Sequence, residues 1–540
     1  MAFTAMSGSP AQSLPHEILL SIFTILTILR PITHYPGRFR PGWTVVTHVC
    51  RLWREAALNS GGILWAESIS IFPDTALEEI LRRAKRVPLS LNLDDICLYP
   101  GDAMMEHLLR RSKRVRVGFY SRVPTYLWLA QLAEQARPEL KQLVLHENPQ
   151  SRIIAPYFAE DFVLQAPALT HCTLSRCVPL AAHKLRALRI DSAWEGCPVH
   201  EVLRYLSAFP LLEDLHLCLK EAISYPVPEA PFELRLESLR SFVNASTDCS
   251  VVALLPRLHV PSTTDLSFIL DLKADDLAGV EEMRNELLKL CLALSHSCRS
   301  ETRPHNTLVW DLRCPVPYLM RFTLCDRHSQ YAIHQDDGLQ ARPGGTTQIQ
   351  ISGGCPNMWP FGCISRDALT DLLSAQPITT LCIPFFGLYG GSDLELDDAY
   401  EPLKGPGLRN VTELIVHRPS HHFFSLLSRP QALDSSFPLI LPKLSRIVID
   451  TSFYGQTLMS ESEAAEFAIG NYHNCKWISQ LRKALAHRVA MSDRKLNRLT
   501  FKGEKGKGHM ECASRFCERL TGERMKGFEA FVCEVRDDRV

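Results

Sequence analysis

Leu185-Arg186-Ala187-Leu188-Arg189-Ile190 places apolar residues at its first, fourth and sixth positions, and this pattern decides the fold because it returns along the chain. It stands at Leu140-Leu143-Leu145, Leu169-Cys172-Leu174 and Leu212-Leu215-Leu217, often shortly after a proline. Further on it reappears at Leu319-Phe322-Leu324, Ile378-Leu381-Ile383, Val411-Leu414-Val416, Leu444-Ile447-Ile449 and Leu496-Leu499-Phe501. The last two apolar residues of each triplet alternate across one intervening position, polar in five of the nine, the period of a strand with one buried face. Between triplets, the stretches 102–113, 199–209, 280–294 and 366–375 carry apolar residues at helical spacing. Strand and helix alternate, so the fold class is α/β.

A strand and helix of this size cannot enclose a core alone, so neighbouring units must stack. The expectation is a small all-helical module at the N-terminus followed by an irregular solenoid that resembles degenerate leucine-rich repeats. Repeat spacing is uneven, and the Asn or Cys position of regular leucine-rich repeats is not consistently filled. The alternative is an ordinary α/β domain with parallel strands. Against a nucleotide-binding version of it, no Gly-rich turn follows an early strand. Two Pro/Gly-bearing stretches, 327–359 and 385–408, read as loops that could serve recognition.

Composition narrows the function. The 540 residues hold 59 Lys plus Arg and 59 Asp plus Glu, so bulk charge offers nucleic acid no general attraction. With 46% hydrophobic and 22% charged residues the chain has the make-up of a folded globular protein. The longest apolar stretch, 18–29, falls short of the ~20 residues that span a bilayer. A secretory signal is disfavoured because no Lys or Arg precedes Arg30, and Pro15 and Glu17 interrupt the segment. The 18 cysteines include no C-x-x-C pair, which fits reduced thiols and a cytoplasmic or nuclear location better than a disulfide framework.

Leu14-Pro15-His16-Glu17 opens a helix, since proline suits the first helical position and a carboxylate in the first turn complements the helix dipole. Ile18, Ile22, Leu26 and Leu29 follow at helical spacing, with Leu19 and Phe23 widening the apolar surface. Prolines and glycines between Pro31 and Gly42 read as a short basic loop, after which 43–58 reads as a second helix. Its apolar rows are Val45, Val49, Leu52 and Ala56, then Val46, Cys50, Trp53 and Ala57. Asn59 to Gly62 stop it, and Ile63-Leu64-Trp65 supplies an apolar anchor.

The order Leu14-Pro15-x-Glu17-Ile18-Leu19-x-x-Ile22-Phe23, then Val49-Cys50-Arg51-Leu52-Trp53-Arg54, then Leu64-Trp65 resembles the F-box and F-box-like domain, particularly its expanded fungal versions. The resemblance covers about 55 residues, and the Pro-rich loop is longer than in the compact form of the domain. It implies docking onto the Skp-type adaptor and cullin scaffold of a ubiquitin ligase, a helix-in-groove contact. The adaptor-binding residues it points to are Leu14, Pro15, Glu17, Ile18, Leu19, Ile22, Val49, Cys50 and Trp53. Patterning alone favours a helical pair that caps the next domain and buries the same side chains; the motif turns the preference to adaptor binding.

The chemical motifs resolve into ordinary structure. Gly405-Pro406-Gly407 lacks the third glycine of a dinucleotide turn, and 503–508 lacks the Gly-Lys-Ser/Thr ending of a phosphate loop. Asp393, Glu395, Asp397 and Asp398 lack the central Gly and distal Glu of a calcium hand. His421, His422, Cys355 and Cys363 form no matched ligand set, and no G-x-S-x-G turn occurs. No catalytic, cofactor-binding or metal-binding residue is assigned. Residues 482–526 carry 13 Lys or Arg against five Asp or Glu, which suits a solvated terminal cap or an acidic partner.

The expected organisation is a flexible 1–12, an F-box-like 13–70, a leucine-rich-repeat-like substrate-recognition region 71–520, and a C-terminal cap or tail 521–540. The function expected is a non-enzymatic substrate adaptor of a Skp/cullin/F-box-type ligase, recruiting an unidentified protein. The alternative is a protein-binding scaffold with no ligase role.

Overall fold

A computed structural model of the chain describes residues 14–35, 38–60, 62–72, 74–93, 102–118, 125–146, 162–175, 177–191, 199–218, 233–246, 254–272, 285, 287–294, 305–313, 318–325, 346–353, 372–374, 376–383, 386–387, 403, 405–417, 421–428, 439–450, 477–502 and 527–538. The expected flexible 1–12 lies outside them, as do the 503–508 loop, the acidic residues from Asp393 to Asp398, Cys355 and Cys363. The chain divides into two compact units, 1–194 with 204–216, and 195–203 with 217–540. The division does not fall at residue 70: the N-terminal helices share a unit with the first strands.

The first unit opens with α1 (His16–Leu29), a hairpin of β1 (Thr33–Tyr35) and β2 (Arg38–Arg40), a 3-10 turn over Gly42–His48, α2 (Arg51–Leu58) and α3 (Ile63–Glu67). The stretch read as a basic loop is therefore partly an antiparallel ribbon, and the second helix is split. Val45, Val46, Thr47 and Val49 crowd an α-helix at χ1. The Thr44 and Thr47 hydroxyls donate to the Pro41 and Thr44 carbonyls at 2.6 and 2.8 Å, holding the tighter i→i+3 turn. Cys50 is extended, with φ −157° and ψ 172°, and its Sγ caps α2 by accepting from the Trp53 N–H at 3.5 Å.

After α4 (Asp74–Ala84) come β3 (Leu89–Asn92), α5 (Asp102–Arg110), β4 (Ser112–Val117), α6 (Thr125–Ala133) and β5 (Gln142–Leu145). Then follow β6 (Leu164–Gln165), β7 (His171–Leu174), β8 (Leu180–Ala181), β9 (Ala187–Ile190), α7 (Val199–Ser207) and β10 (Asp214–Leu217). Strands β3, β4, β5, β7 and β9 pair in parallel. The Arg186 carbonyl accepts from the Glu213 and Asp214 N–H groups, joining the start of β10 to β9. Leu143, Leu145, Cys172, Leu174, Leu188, Ile190 and Leu215 point into the core, as the triplet pattern requires.

The second unit contains β11 (Leu234–Arg235), β12 (Ser241–Ser246), β13 (Leu258–His259), β14 (Asp265–Leu272), β15 (Thr307–Arg313), β16 (Tyr318–Cys325), β17 (Thr347–Gly353), β18 (Thr380–Ile383) and β19 (Phe386–Gly387). Next are β20 (Glu413–Val416), α8 (His421–Leu427), β21 (Arg446–Asp450), α9 (Trp477–Ser492), β22 (Leu496–Lys502) and β23 (Val532–Asp537). All nine triplets are strands, and both units have mostly parallel sheets.

The expected leucine-rich-repeat-like solenoid is overturned by the connectivity. A stack of repeats pairs each strand with its sequence neighbours. Here β14 pairs in parallel with β17, β17 and β16 run antiparallel, β16 and β15 run antiparallel, and β15 pairs in parallel with β18. The chain leaves β14, skips two strand positions and winds back, which no one-dimensional array does. The fold is a mixed α/β arrangement of large, mostly parallel sheets. The triplet reports a strand with one buried face, a property such a sheet shares with a solenoid. The supposed loop 327–359 contains β17, and the C-terminal segment supplies β23, paired in parallel with β22.

Gly62 illustrates how tightly the first unit closes. Its φ is +93°, and a Cβ there would lie 2.3 Å from the Ala84 carbonyl oxygen. Gly62→Ala is expected to cost about 2 kcal/mol or more, through backbone strain and displacement of the end of α4, and thermal melting measures it.

Candidate docking site

α1 is built to face two ways. Pro15 sits at its N-terminal boundary, the Leu19 N–H donates to the Pro15 carbonyl at 3.1 Å, and Pro31 ends the run beyond Arg30. Leu19 and Phe23 are both at 0% exposure, and the Phe23 ring lies 5.5 Å from Trp53. The opposite row, Ile18, Ile22, Ile25 and Leu29, advances by four, three and four residues and forms one continuous stripe. Ile18 is 47% exposed, Ile28 beside the stripe 76% and Leu29 70%; Ile22 is half-buried.

A second apolar row lies on the elements packed against α1. Val45, Val49 and Leu52 are all exposed large hydrophobics across the 3-10 turn and the start of α2. Beneath them the module is pinned by tryptophans. Trp43 Nε1 donates to Ser68 Oγ at 3.0 Å, and its ring meets Trp65 edge-on at 5.3 Å. Trp65 Nε1 donates to the Ala57 carbonyl at 3.1 Å, and the Arg83 guanidinium lies 4.5 Å over the ring. Leu64-Trp65 is thus a buried anchor, as its position after α2 suggests.

The expected adaptor-binding residues divide on exposure. Pro15, Glu17, Ile18 and Val49 are exposed, and Leu14, Ile22, Cys50 and Trp53 are half-buried. Leu19 is enclosed by the chain itself and is a core residue. Cys50 and Trp53 act locally, one as the cap of α2 and the other as the partner of Phe23. Ile25 and Ile28 are absent from the expected residues, and the sequence pattern marks Leu29, Val45 and Leu52 only as face-forming. The 18-22-25-29 spacing carries the signal, but spacing alone does not say which face of a broadly apolar helix meets the core.

The site offers contact area rather than chemistry. Among the described residues no group of three or more His, Cys, Asp or Glu could hold a metal ion, and the helices include none long and apolar enough to cross a membrane. Gly407 belongs to a 3-10 turn over Pro406–Leu408, where a Cβ would lie 2.6 Å from Leu373 Cβ; close packing accounts for that glycine. His421 and His422 open α8. No protein-family model matches the chain, and no curated protein matches it.

Proposed function

We propose that the chain is a non-catalytic adaptor whose N-terminal helices dock on the Skp-type subunit of a cullin-based ubiquitin ligase, while the sheet-bearing remainder holds the protein to be modified. The observation that carries this reading is the bare apolar stripe of α1, left open by the chain's own packing, which begins at Ile18 and Ile22 of the F-box-like pattern and runs on through Ile25 and Leu29. Aliphatic side chains brought from water into a partner's groove contribute about 1.5 to 3 kcal/mol each when fully buried. Holding a target near the charged conjugating enzyme makes transfer effectively intramolecular, so this chain supplies no nucleophile or acid–base pair. The proposed compartment is cytoplasmic or nuclear, where such ligases and reduced thiols coexist.

Coexpression with a Skp-type adaptor tests it. The wild-type chain is expected to copurify with the adaptor, and Leu14→Asp with Ile18→Asp to abolish copurification while the melting temperature stays within about 2 °C. Leu211→Asp, an equally exposed apolar site outside the module, is expected to bind as wild type. Failure of the wild type to copurify rejects the reading in favour of a scaffold without a ligase role.

A further inference from the structure

Parallel sheets are ordinarily covered on both faces. In the first unit many of the outward positions of β4 to β10 are polar and open: Arg114, Arg116, His171, Arg189 and Asp214 are exposed, with Val144 and Thr173 half-buried among them. The register places Arg116 opposite Val144, Val144 opposite Thr173, and Thr173 opposite Arg189. These four residues form one row across the strands. Three inter-strand steps separate its two guanidinium-bearing positions by about 14 Å, with an uncharged floor between them.

The charges on this face are unequally satisfied. Arg189 is held by Asp191, which also lies 3.7 Å from His146. Arg114 donates to Gln142 and lies 3.8 Å from Glu67, a carboxylate already paired with Lys113 at 2.6 Å. The Arg116 side chain has no hydrogen-bond or carboxylate partner among the described residues. His216, beside Arg189, is pushed toward its neutral form first by burial and then by that guanidinium. Among the described residues, what remains is an open fork at Arg116 and, because Asp191 engages only Nε of Arg189, further donors at the other end of the row.

We propose that this open sheet face docks an acidic segment of a partner protein, laid across β4 to β9 with one carboxylate at Arg116 and another at Arg189. Guanidinium forks match carboxylates in bidentate geometry. Two carboxylates four residues apart in an extended chain span about 13 Å, close to the separation of the arginines. The floor of Val144 and Thr173 offers no aromatic platform on which bases could stack, which favours protein over single-stranded nucleic acid. The surface lies outside the α1 site, and the proposal holds whether or not α1 docks a ligase subunit.

The test uses the full chain and a fluorescein-labelled peptide, Gly-Glu-Ser-Gly-Ser-Glu-Gly, followed by anisotropy. Expected are saturable binding in low salt, weakening as salt rises, and no binding of the peptide with Gln in place of both Glu residues. Arg116→Glu is expected to weaken binding about tenfold or more, and the milder Arg116→Gln to weaken it less. Arg82→Glu, at an exposed site on α4, and Ile18→Asp are expected to leave it unchanged. Absence of binding in low salt, equal loss in Arg82→Glu, or tighter binding of a single-stranded oligonucleotide of equal charge would overturn the proposal.

Discussion

Arg137→Met is expected to lower the stability of the first unit by about 3 kcal/mol, seen as an earlier urea midpoint in tryptophan fluorescence with the slope unchanged. Arg137 is 1% exposed, and its guanidinium donates to both oxygens of Glu106, at 2.8 and 2.9 Å. It also donates from Nε to the Leu132 carbonyl at 3.0 Å and from Nη2 to the Gln131 carbonyl, closing the end of α6. Methionine fills much of the volume but removes a donor from all four acceptors, leaving the Glu106 carboxylate only the longer 3.5 Å contact from Arg110. Glu106 keeps partial contact with water, which sets the loss at the lower end of the range for a broken buried pair. The hydrogen bond from Arg137 is the main force holding the Glu106 carboxyl below its ordinary value. Its folded-state value is therefore depressed, so the pair contributes fully at neutral pH and its contribution fades as pH falls below 4.5 through the lowered value. Wild type and Arg137→Met should accordingly converge in stability in acid.

Trp43→Ala is expected to cost about 3 to 5 kcal/mol and to act mostly on the N-terminal helices. The residue is among the largest fully buried side chains, and truncation removes the hydrogen bond to Ser68 together with the edge-on contact with Trp65. Hydrogen exchange should speed up in α1, α2 and α3, and much less in β7 and β9. Because the stripe on α1 depends on Leu19 and Phe23 being seated below it, the same substitution should weaken adaptor capture. Trp43→Phe, which keeps most of the ring and loses only the Nε1 donor, should restore much of both.

The strands were readable because a triplet with two inward side chains can hardly be anything else, and all nine are strands. Their order was not readable. Nothing in Leu319-Phe322-Leu324 distinguishes an antiparallel strand from a parallel one, since inward-facing residues alternate identically in both. Strands β14, β15 and β17 do not carry the triplet, because their apolar and polar residues follow other spacings, and those are among the strands that reroute the sheet. In the N-terminal module, the Pro15 start and the Leu64-Trp65 anchor were legible. The break at Cys50 was not, because it arises from competition between β-branched crowding and a local cap. Which face of α1 stays bare was equally hidden: Leu19 and Ile18 are adjacent and similar, yet one is fully buried and the other is 47% exposed, an outcome set by the tertiary packing of α1 on the elements that follow it.

The partnership of β14 with β17 also governs how the chain comes off the ribosome. Asp265 Oδ1 accepts from the Thr346 N–H at 2.8 Å across a separation of 81 residues. At typical elongation rates the nascent chain carries β14, already flanked by its partner β12 on one side, for roughly 4 to 16 s before its neighbour on the other side is even synthesised. Throughout that interval a row of backbone amides stands ready to recruit the wrong strand, so productive folding of this half is a race between translation and misassembly that slower synthesis or holdase depletion should tilt toward aggregates.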